Sequence, residues 1–356
     1  MKTSKLLSTT VLVSAAALVA AAPASAAKLK LGGYFEQWIG WGADGTSTPV
    51  SNFDVKSDAE IYFSFKEKLS NGLTVGGRIE MEGMTGADEQ TATGTNLVGN
   101  FDESSLYVSG SFGKIQLGNN DVAAAGAGGV SVVGPVGIIK SDAGDWIPQT
   151  GSINNSDNDL GFGDSQNITY VTPKINGLQL TVSYTPDSSD DQNSDYDDHE
   201  TSGIKEGISG LLKYSGKFGG SKVTLAVGRT TGVDTDRSNF DMEGTNVSVK
   251  LQQGPFTLTA TSNQEETRTN RKDKFTGAGL IYKLDKANSV SAGYGKGKRV
   301  NTGGSDREQT VYTFGASRNL GKGVSVSASV FNAETQNASG TNVDDTGFAA
   351  GIRVNF

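Results

Sequence analysis

The sequence contains no cysteine and a single histidine, His199. The first absence removes disulfide scaffolds, thiol nucleophiles and cysteine-built metal sites. The second removes Ser–His–acid triads and multi-histidine zinc chemistry, unless His199 alone carries one. Apolar residues make up only 35% of the 356, a level at which disorder has to be considered. The 15 Phe, 10 Tyr and 3 Trp spread along the chain argue against it. Positive charge is also scarce, with 31 Lys and Arg against 39 Asp and Glu, which speaks against a nucleic-acid partner. There is no G-x-S-x-G elbow, and no Gly-Lys pair is followed by Ser or Thr as a phosphate loop requires. The paired acids Glu265 and Glu266 sit at a loop edge, outside any evident cleft. These absences leave little room for an enzyme.

Residues 1–26 read as a secretory signal, with Lys2 and Lys5, an Ala-rich apolar run over 6–22, and the small-x-small site Ala24-Ser25-Ala26. Cleavage there leaves 27–356 as a single domain and, with two lysines lost from a formal charge of −8, a net charge of about −10. An exported chain without cysteine points to the envelope of a Gram-negative bacterium rather than to a small disulfide-stapled secreted domain.

What the sequence does have is alternation. In Leu73-Thr74-Val75-Gly76-Gly77-Arg78-Ile79-Glu80-Met81-Glu82, apolar residues or glycine take the odd positions and polar ones most of the even. At the end of the chain Phe348, Ala350, Ile352, Val354 and Phe356 share one face, with Arg353 and Asn355 on the other. Period two with one apolar face is the pattern of a half-buried strand, so the chain is expected to be all-β.

The connections say which kind. Seven are short and rich in turn formers, near 70–72, 111–114, 174–177, 217–221, 253–255, 285–288 and 321–323. Eight longer polar stretches alternate with them, near 42–56, 84–100, 121–165, 187–203, 232–240, 267–273, 301–307 and 337–344. Fifteen connections join sixteen strands. Strict segregation of loops by length is expected of a transmembrane antiparallel 16-stranded β-barrel, with short periplasmic turns and long external loops. Strands of about 9–13 residues suit a tilted crossing, and closure pairs every backbone amide. A wet lumen accounts for the low apolar content. Trp38, Trp41, Tyr184 and Tyr294 near strand ends are candidates for interfacial girdles. The uncharged run 122–139 is long enough for a spanning helix, but Gly126, Gly128, Gly129, Gly134, Pro135 and Gly137 disfavour one. A loop folded into the barrel, or against a neighbouring subunit, is the preferred reading.

Several segments resemble the general porins of the Gram-negative outer membrane, the sixteen-stranded trimeric type. They are Leu29-Lys30-Leu31-Gly32-Gly33-Tyr34, Ser70-Asn71-Gly72-Leu73-Thr74-Val75-Gly76-Gly77, Phe101-Asp102-Glu103-Ser104-Ser105-Leu106-Tyr107-Val108, Phe112-Gly113-Lys114-Ile115-Gln116-Leu117-Gly118 and Gly351-Ile352-Arg353-Val354-Asn355-Phe356. The resemblance implies passive diffusion of small hydrophilic solutes through a homotrimer embedded in outer-membrane lipid and lipopolysaccharide. It also implies recognition of the strand ending in Phe356 by the barrel-assembly machinery, and a third long loop, here 121–165, folded inward to narrow the pore.

Parity assigns the lumen-facing charges. Lys30, Tyr34 and Glu36 face inward on the first strand, Asp58, Glu60, Tyr62 and Lys66 on the second, Arg78, Glu80 and Glu82 on the third, and Arg353 on the last. Closure brings the first and last strands together, so Lys30, Arg78 and Arg353 are candidates for a basic wall at the constriction. Opposite them would stand Asp58, Glu60 and Glu80 together with the loop acids Asp121, Asp142, Asp145, Asp157 and Asp159, making the charged-ring kind of selectivity. The other reading is that inward charges pair with one another, Arg78 with Glu80 or Glu60. Relatives often carry arginine where this chain has Asp58 and Glu60, and with the acidic balance this leads to an expectation of mild cation preference. Tyr34, Tyr62 and Tyr107, all inward, raise the alternative of an aromatic track in a substrate-selective channel; a non-conducting structural or adhesive barrel is the third reading. In the external loops, Asp191, Asn193, Asp195 and Asp197 form a hard-oxygen set suited to Ca²⁺ or to bridging lipopolysaccharide through divalent ions, although Tyr196 and Ser202 stand where an EF-hand needs glycine and a bidentate acid. A solvated acidic loop is the plainer reading of that stretch, and an exposed loop residue that of His199 beside it. No cofactor is required by any of these readings.

Overall fold

The computed structural model describes residues 27–43, 53–82, 101–138, 146–147, 159–163, 165–188, 203–237, 240–268, 271–301, 304, 306–336 and 340–356. The signal segment 1–26, the loop acids Asp142, Asp145 and Asp157, the candidate cation ligands at 191–197 and His199 lie outside the described residues.

Sixteen strands form one antiparallel sheet: β1 (Leu29–Ala43), β2 (Phe53–Lys68), β3 (Thr74–Glu82), β4 (Phe101–Gly110), β5 (Gly113–Asn119), β6 (Gln166–Val171), β7 (Leu178–Asp187) and β8 (Ile204–Phe218). The second half comprises β9 (Ser221–Asp234), β10 (Phe240–Gln253), β11 (Phe256–Arg268), β12 (Arg271–Lys283), β13 (Asn288–Asn301), β14 (Arg307–Gly321), β15 (Val324–Gln336) and β16 (Asn342–Asn355). Each strand pairs with its neighbours in sequence, and β1 pairs with β16 to close a barrel. All seven short connections fall between paired strands at the expected turns. The strands depart from the expected lengths, running from 6 residues in β6 to 16 in β2. The long ones continue past the apolar band on the loop side, where polar stretches such as Lys296–Asn301 still pair in register.

Alternation sorts the two faces. Phe35, Ile39 and Trp41 of β1, Ile208 and Leu212 of β8, and Tyr312 and Phe314 of β14 stand exposed on the outside, whereas the intervening inward residues of β7 to β15 are mostly Ser, Thr, Asn and Gly. An apolar exterior of this kind is stable only in lipid, and the closed sheet leaves no unpaired edge there. Trp41, Tyr184 and Tyr294 lie on this outer face; Trp38 does not. It points inward and packs against a buried cluster containing Trp146. The seam between β1 and β16 is sealed at the turn side by two main-chain hydrogen bonds, Gly33 N–H to Phe356 O and Phe356 N–H to Gly33 O, each 3.1 Å.

The uncharged run after β5 is not a helix apart from one 3-10 turn, Ala123–Ala127. Among the described residues no helix is long and apolar enough to cross a membrane. Residues 121–138 instead run as a strap along the inner wall, so this run presents no face to a neighbouring subunit. The barrel's buried apolar clusters lie where the strap and its continuation meet that wall. Val122, Leu160 and Phe162 pack on Met242, and Ala123 and Ala127 on Leu211 and Ala226. Val136, Trp146 and Ile147 pack on Val311, Phe331, Ala333 and Ala349. Each large buried side chain here contributes about 1.5–3 kcal/mol, so these clusters hold the strap at both ends.

Candidate functional site: the lumen wall and the inner strap

The strap is held by side chains of the wall, because the wall's own main chain is already used in strand pairing. Its N–H groups donate to a row of hydroxyls: Ala123 to Ser183 Oγ (2.9 Å), Ala124 to Ser209 Oγ (2.8 Å), Ser131 to Thr259 Oγ1 (2.8 Å), Val133 to Ser291 Oγ (2.9 Å) and Val136 to Ser329 Oγ (3.3 Å). In the other sense Ser248 Oγ donates to the Ala127 carbonyl and Thr313 Oγ1 to that of Val136 (3.0 Å). The partners belong successively to β7, β8, β10, β11, β13, β14 and β15, so the strap covers about half of the circumference. Each hydroxyl stands on the inward parity of its strand, which is why a polar lumen face and a seat for a buried main chain can be the same set of residues.

Opposite, the wall formed by β16, β1, β2 and β3 carries the charges that parity assigned to it. Cross-strand register sets Arg353, Glu36 and Asp58 in one row and Tyr34 and Glu60 in the next. Two carboxylates directly opposed in a sheet repel. Here Arg353 ion-pairs with Glu36, and the Tyr34 hydroxyl donates to both Asp58 (3.1 Å) and Glu60 (2.9 Å). Tyr62 donates to the other oxygen of Glu60. The guanidinium of Arg353 lies 3.8 Å above the ring of Tyr34, and that of Arg78 lies 4.0 Å above Tyr62 while pairing with Glu80. The two tyrosine rings are 6.5 Å apart. The result is one packed unit of two arginines, two tyrosines and four carboxylates.

Of the residues singled out by sequence, Arg78, Arg353, Asp58, Glu60 and Glu80 thus come together, as a mixed unit rather than as a basic wall facing acids. The pairing alternative holds for Arg78 and Glu80. Lys30 stays apart, exposed toward the turn side and without an ion pair among the described residues. Asp121 sits at the root of the strap, where its main-chain N–H donates to Glu103 of β4. No group of three or more acids or histidines among the described residues is placed to hold a metal ion. The inward tyrosines do not form a bare aromatic surface. Tyr34 is buried at 9% exposure, Tyr62 lies beneath Arg78, and Lys114 lies 5.7 Å from the centre of the Tyr107 ring.

Sequence reasoning missed three things. Glu36 was placed inward but not named as the partner of Arg353. Across the barrel, Asp273 of β12 is bracketed by Arg271 (2.6 Å) and Arg299 (2.8 Å), a second charged unit on the loop side of the lumen. The third is the seat itself: inward positions of β7 to β15 repeat Ser, Thr and Gly, a pattern that a wet lumen explains equally well.

The closed sheet, its apolar exterior and its polar interior define a transmembrane β-barrel. The model of the Gram-negative porin family matches this chain over residues 8–356, and the chain belongs to that family of outer-membrane channels. Comparison with curated protein sequences gave no match. Among solved structures the chain is similar to the anion-selective porin from Comamonas acidovorans, at 16% identity and TM-score 0.61, over 93% of this chain and 100% of that one. It is similar to the outer-membrane expressed OmpT of Vibrio cholerae at 13% identity and TM-score 0.62, over 94% and 99%. A mutant of the Rh. blastica porin gives 18% identity and TM-score 0.57, over 92% and 100%.

Proposed function

We propose that this chain is a general diffusion porin, open to small hydrophilic solutes and ions with mild cation preference and assembled as a homotrimer after removal of residues 1–26. The observation that carries the reading is the make-up of the uncovered wall. With the strap seated on β7 to β15, solutes pass the arc from β16 to β3. There the packed unit sets Glu36, Asp58, Glu60 and Glu80 against Arg78 and Arg353, while Lys56 and Lys66 stand inward to either side of it along β2. Lys30 adds one positive charge at the turn-side mouth. Carboxylates in excess within that unit, on a narrow, partly desolvated wall, concentrate cations and repel anions. The Comamonas porin is described as anion-selective; the same selectivity is not expected here, because both arginines of this wall are engaged by carboxylates.

The trimeric state draws support from a solved trimer form of the Vibrio OmpT, which shares this fold. Entry of the final strand through the barrel-assembly machinery rests on the resemblance, together with Phe356 at the seam. Lipopolysaccharide contact and a Ca²⁺ at Asp191, Asn193, Asp195 and Asp197 remain proposals for the external loops, and no chemistry is assigned to the channel.

Single-channel recording of the purified protein in planar bilayers, with a salt-gradient reversal potential, tests this reading. Large ohmic steps in threes, unaffected by sugars and reversing on the cation side, are expected. Small steps blocked by one solute would favour a selective channel, and silence from folded protein a barrel closed by its third loop.

A further inference from the structure

The wall beneath the strap is shaped as well as polar. Gly228 of β9, Gly279 of β12, Gly293 and Gly295 of β13 and Gly315 of β14 all point inward under the strap. A Cβ at Gly228 would stand 3.0 Å from the Ala124 Cβ, one at Gly279 2.8 Å from Val130 Cγ1, and one at Gly293 2.6 Å from Ile138 Cδ1. At Gly315 a Cβ would fall on the Val133 carbonyl oxygen. Two of these contacts, at Gly315 and at Gly279 with Ser131, are against main chain, which cannot rotate aside as a side chain can.

We propose that Gly279, Gly293 and Gly315, with the hydroxyls of Ser291 and Ser329, are positioning residues for permeation: they form a recess that draws the strap back from the pore axis and so set the width of the opening. The inference rests on the chain being an open pore. The hydroxyls fix the strap's height and register through its main chain, and the glycines fix its depth. Because the Val122–Phe162 and Trp146–Ile147 clusters hold both ends, a strap pushed from its recess has only the lumen to move into. Restoring an ordinary contact of about 3.5 Å at Gly315 displaces Val133 inward by about 2 Å. The width of the passage then depends on residues that no solute touches.

The test uses the full chain in planar bilayers. Gly315→Val, and Gly315→Ala as the milder change, are expected to give folded channels whose single-channel conductance falls, about twofold for valine. Gly210→Ala makes the same kind of change in a strand where a Cβ meets nothing within 4 Å, and should leave conductance as it was. Unchanged or raised conductance in Gly315→Val, or an equal fall in Gly210→Ala, overturns the proposal. A second arm does not depend on conduction or on tolerance of valine. The chain has no cysteine, so the pair Gly228→Cys and Ala124→Cys stands alone; their Cβ atoms start 3.0 Å apart, and a give of about 0.5 Å brings them to the separation of a disulfide. Oxidation should form the cross-link in folded protein, and the conductance of the double variant should be the same oxidised as reduced. Failure to cross-link would show that the strap is not seated. If the unmodified protein does not conduct at all while the cross-link forms, it is the diffusion-pore reading that fails and the seat that stands.

Discussion

The guanidinium of Arg353 is pinned on two sides, by the ring of Tyr34 3.8 Å beneath it and by the carboxylate of Glu36 beside it. A long cationic side chain that could reach across the lumen is held flat against the wall, its charge balanced locally. Removing positive charge from this unit should therefore act on selectivity. The double variant Arg353→Gln with Arg78→Gln is expected to move the reversal potential further to the cation side, and Glu60→Gln to move it toward the anion side. A shift of the opposite sign in either would show that solutes follow a different wall.

The hydroxyl of Tyr34 satisfies two carboxylates at once, so Tyr34→Phe isolates that part of the packing. The ring and its cation contact remain, while Asp58 and Glu60 lose a shared donor. Thermal unfolding in detergent should show a loss of about 1–3 kcal/mol. Conductance should hardly change.

On the other side of the barrel, Asp273 keeps two arginines in check. Asp273→Asn leaves Arg271 and Arg299 facing one another with their balancing charge removed. Anion permeability should rise in reversal-potential measurements, and the thermal midpoint should fall. An unaltered midpoint would mean that water screens the pair already.

Trp146 anchors the far end of the strap against Val311, Phe331 and Trp38. Trp146→Ala is expected to cost about 3 kcal/mol of local packing. Its signature would be noisy, flickering single-channel currents on an intact barrel, whose strand content by circular dichroism should be preserved.

At the turn between β12 and β13, Asp285 accepts hydrogen bonds from the N–H groups of Ala287 (2.7 Å) and Asn288 (2.8 Å) and from the Asn288 side chain (2.6 Å). The Asn288 side chain foremost, then these main-chain donors, favours the ionised form and holds its carboxyl below the usual range. A group with a depressed pKa stabilises the folded state above its ordinary value near 4, and that contribution disappears as pH falls through the lower one. Hydrogen exchange at Asn288 should therefore be faster in Asp285→Ala than in the native chain from neutral pH down to about 4. Below that the two should converge. A difference that persists in strong acid would point to the turn's shape instead.

Much of this was legible in the residues. Ser70-Asn71-Gly72 and Gly321-Lys322-Gly323 announce their turns, and strict parity put Tyr34, Glu36, Asp58, Glu60, Arg78 and Arg353 on the inner face. Partners across the seam were another matter. Arg353 meets Glu36 only because β1 and β16 close in one particular register, and Trp38 looked like a girdle residue because its partner Trp146 is more than a hundred positions away. The strap's path was hidden for a different reason: a serine or glycine facing a wet lumen and one receiving a buried main chain look identical in sequence.

The strap's bonds also impose an order on assembly. Ala123 reaches Ser183, but Val136 reaches Ser329, 193 residues further on. A growing chain can satisfy the first contacts early and the last only when its fifteenth strand is in place. Until then the later strap donors, with their glycine recesses still unbuilt, can be served only by water. The passage thus acquires its final bore at the end of biogenesis, close to the moment at which Phe356 meets Gly33 and the ring shuts. By the same geometry, a barrel that stalls before that stage would carry the later part of its strap unseated in the lumen, and be narrowed by it.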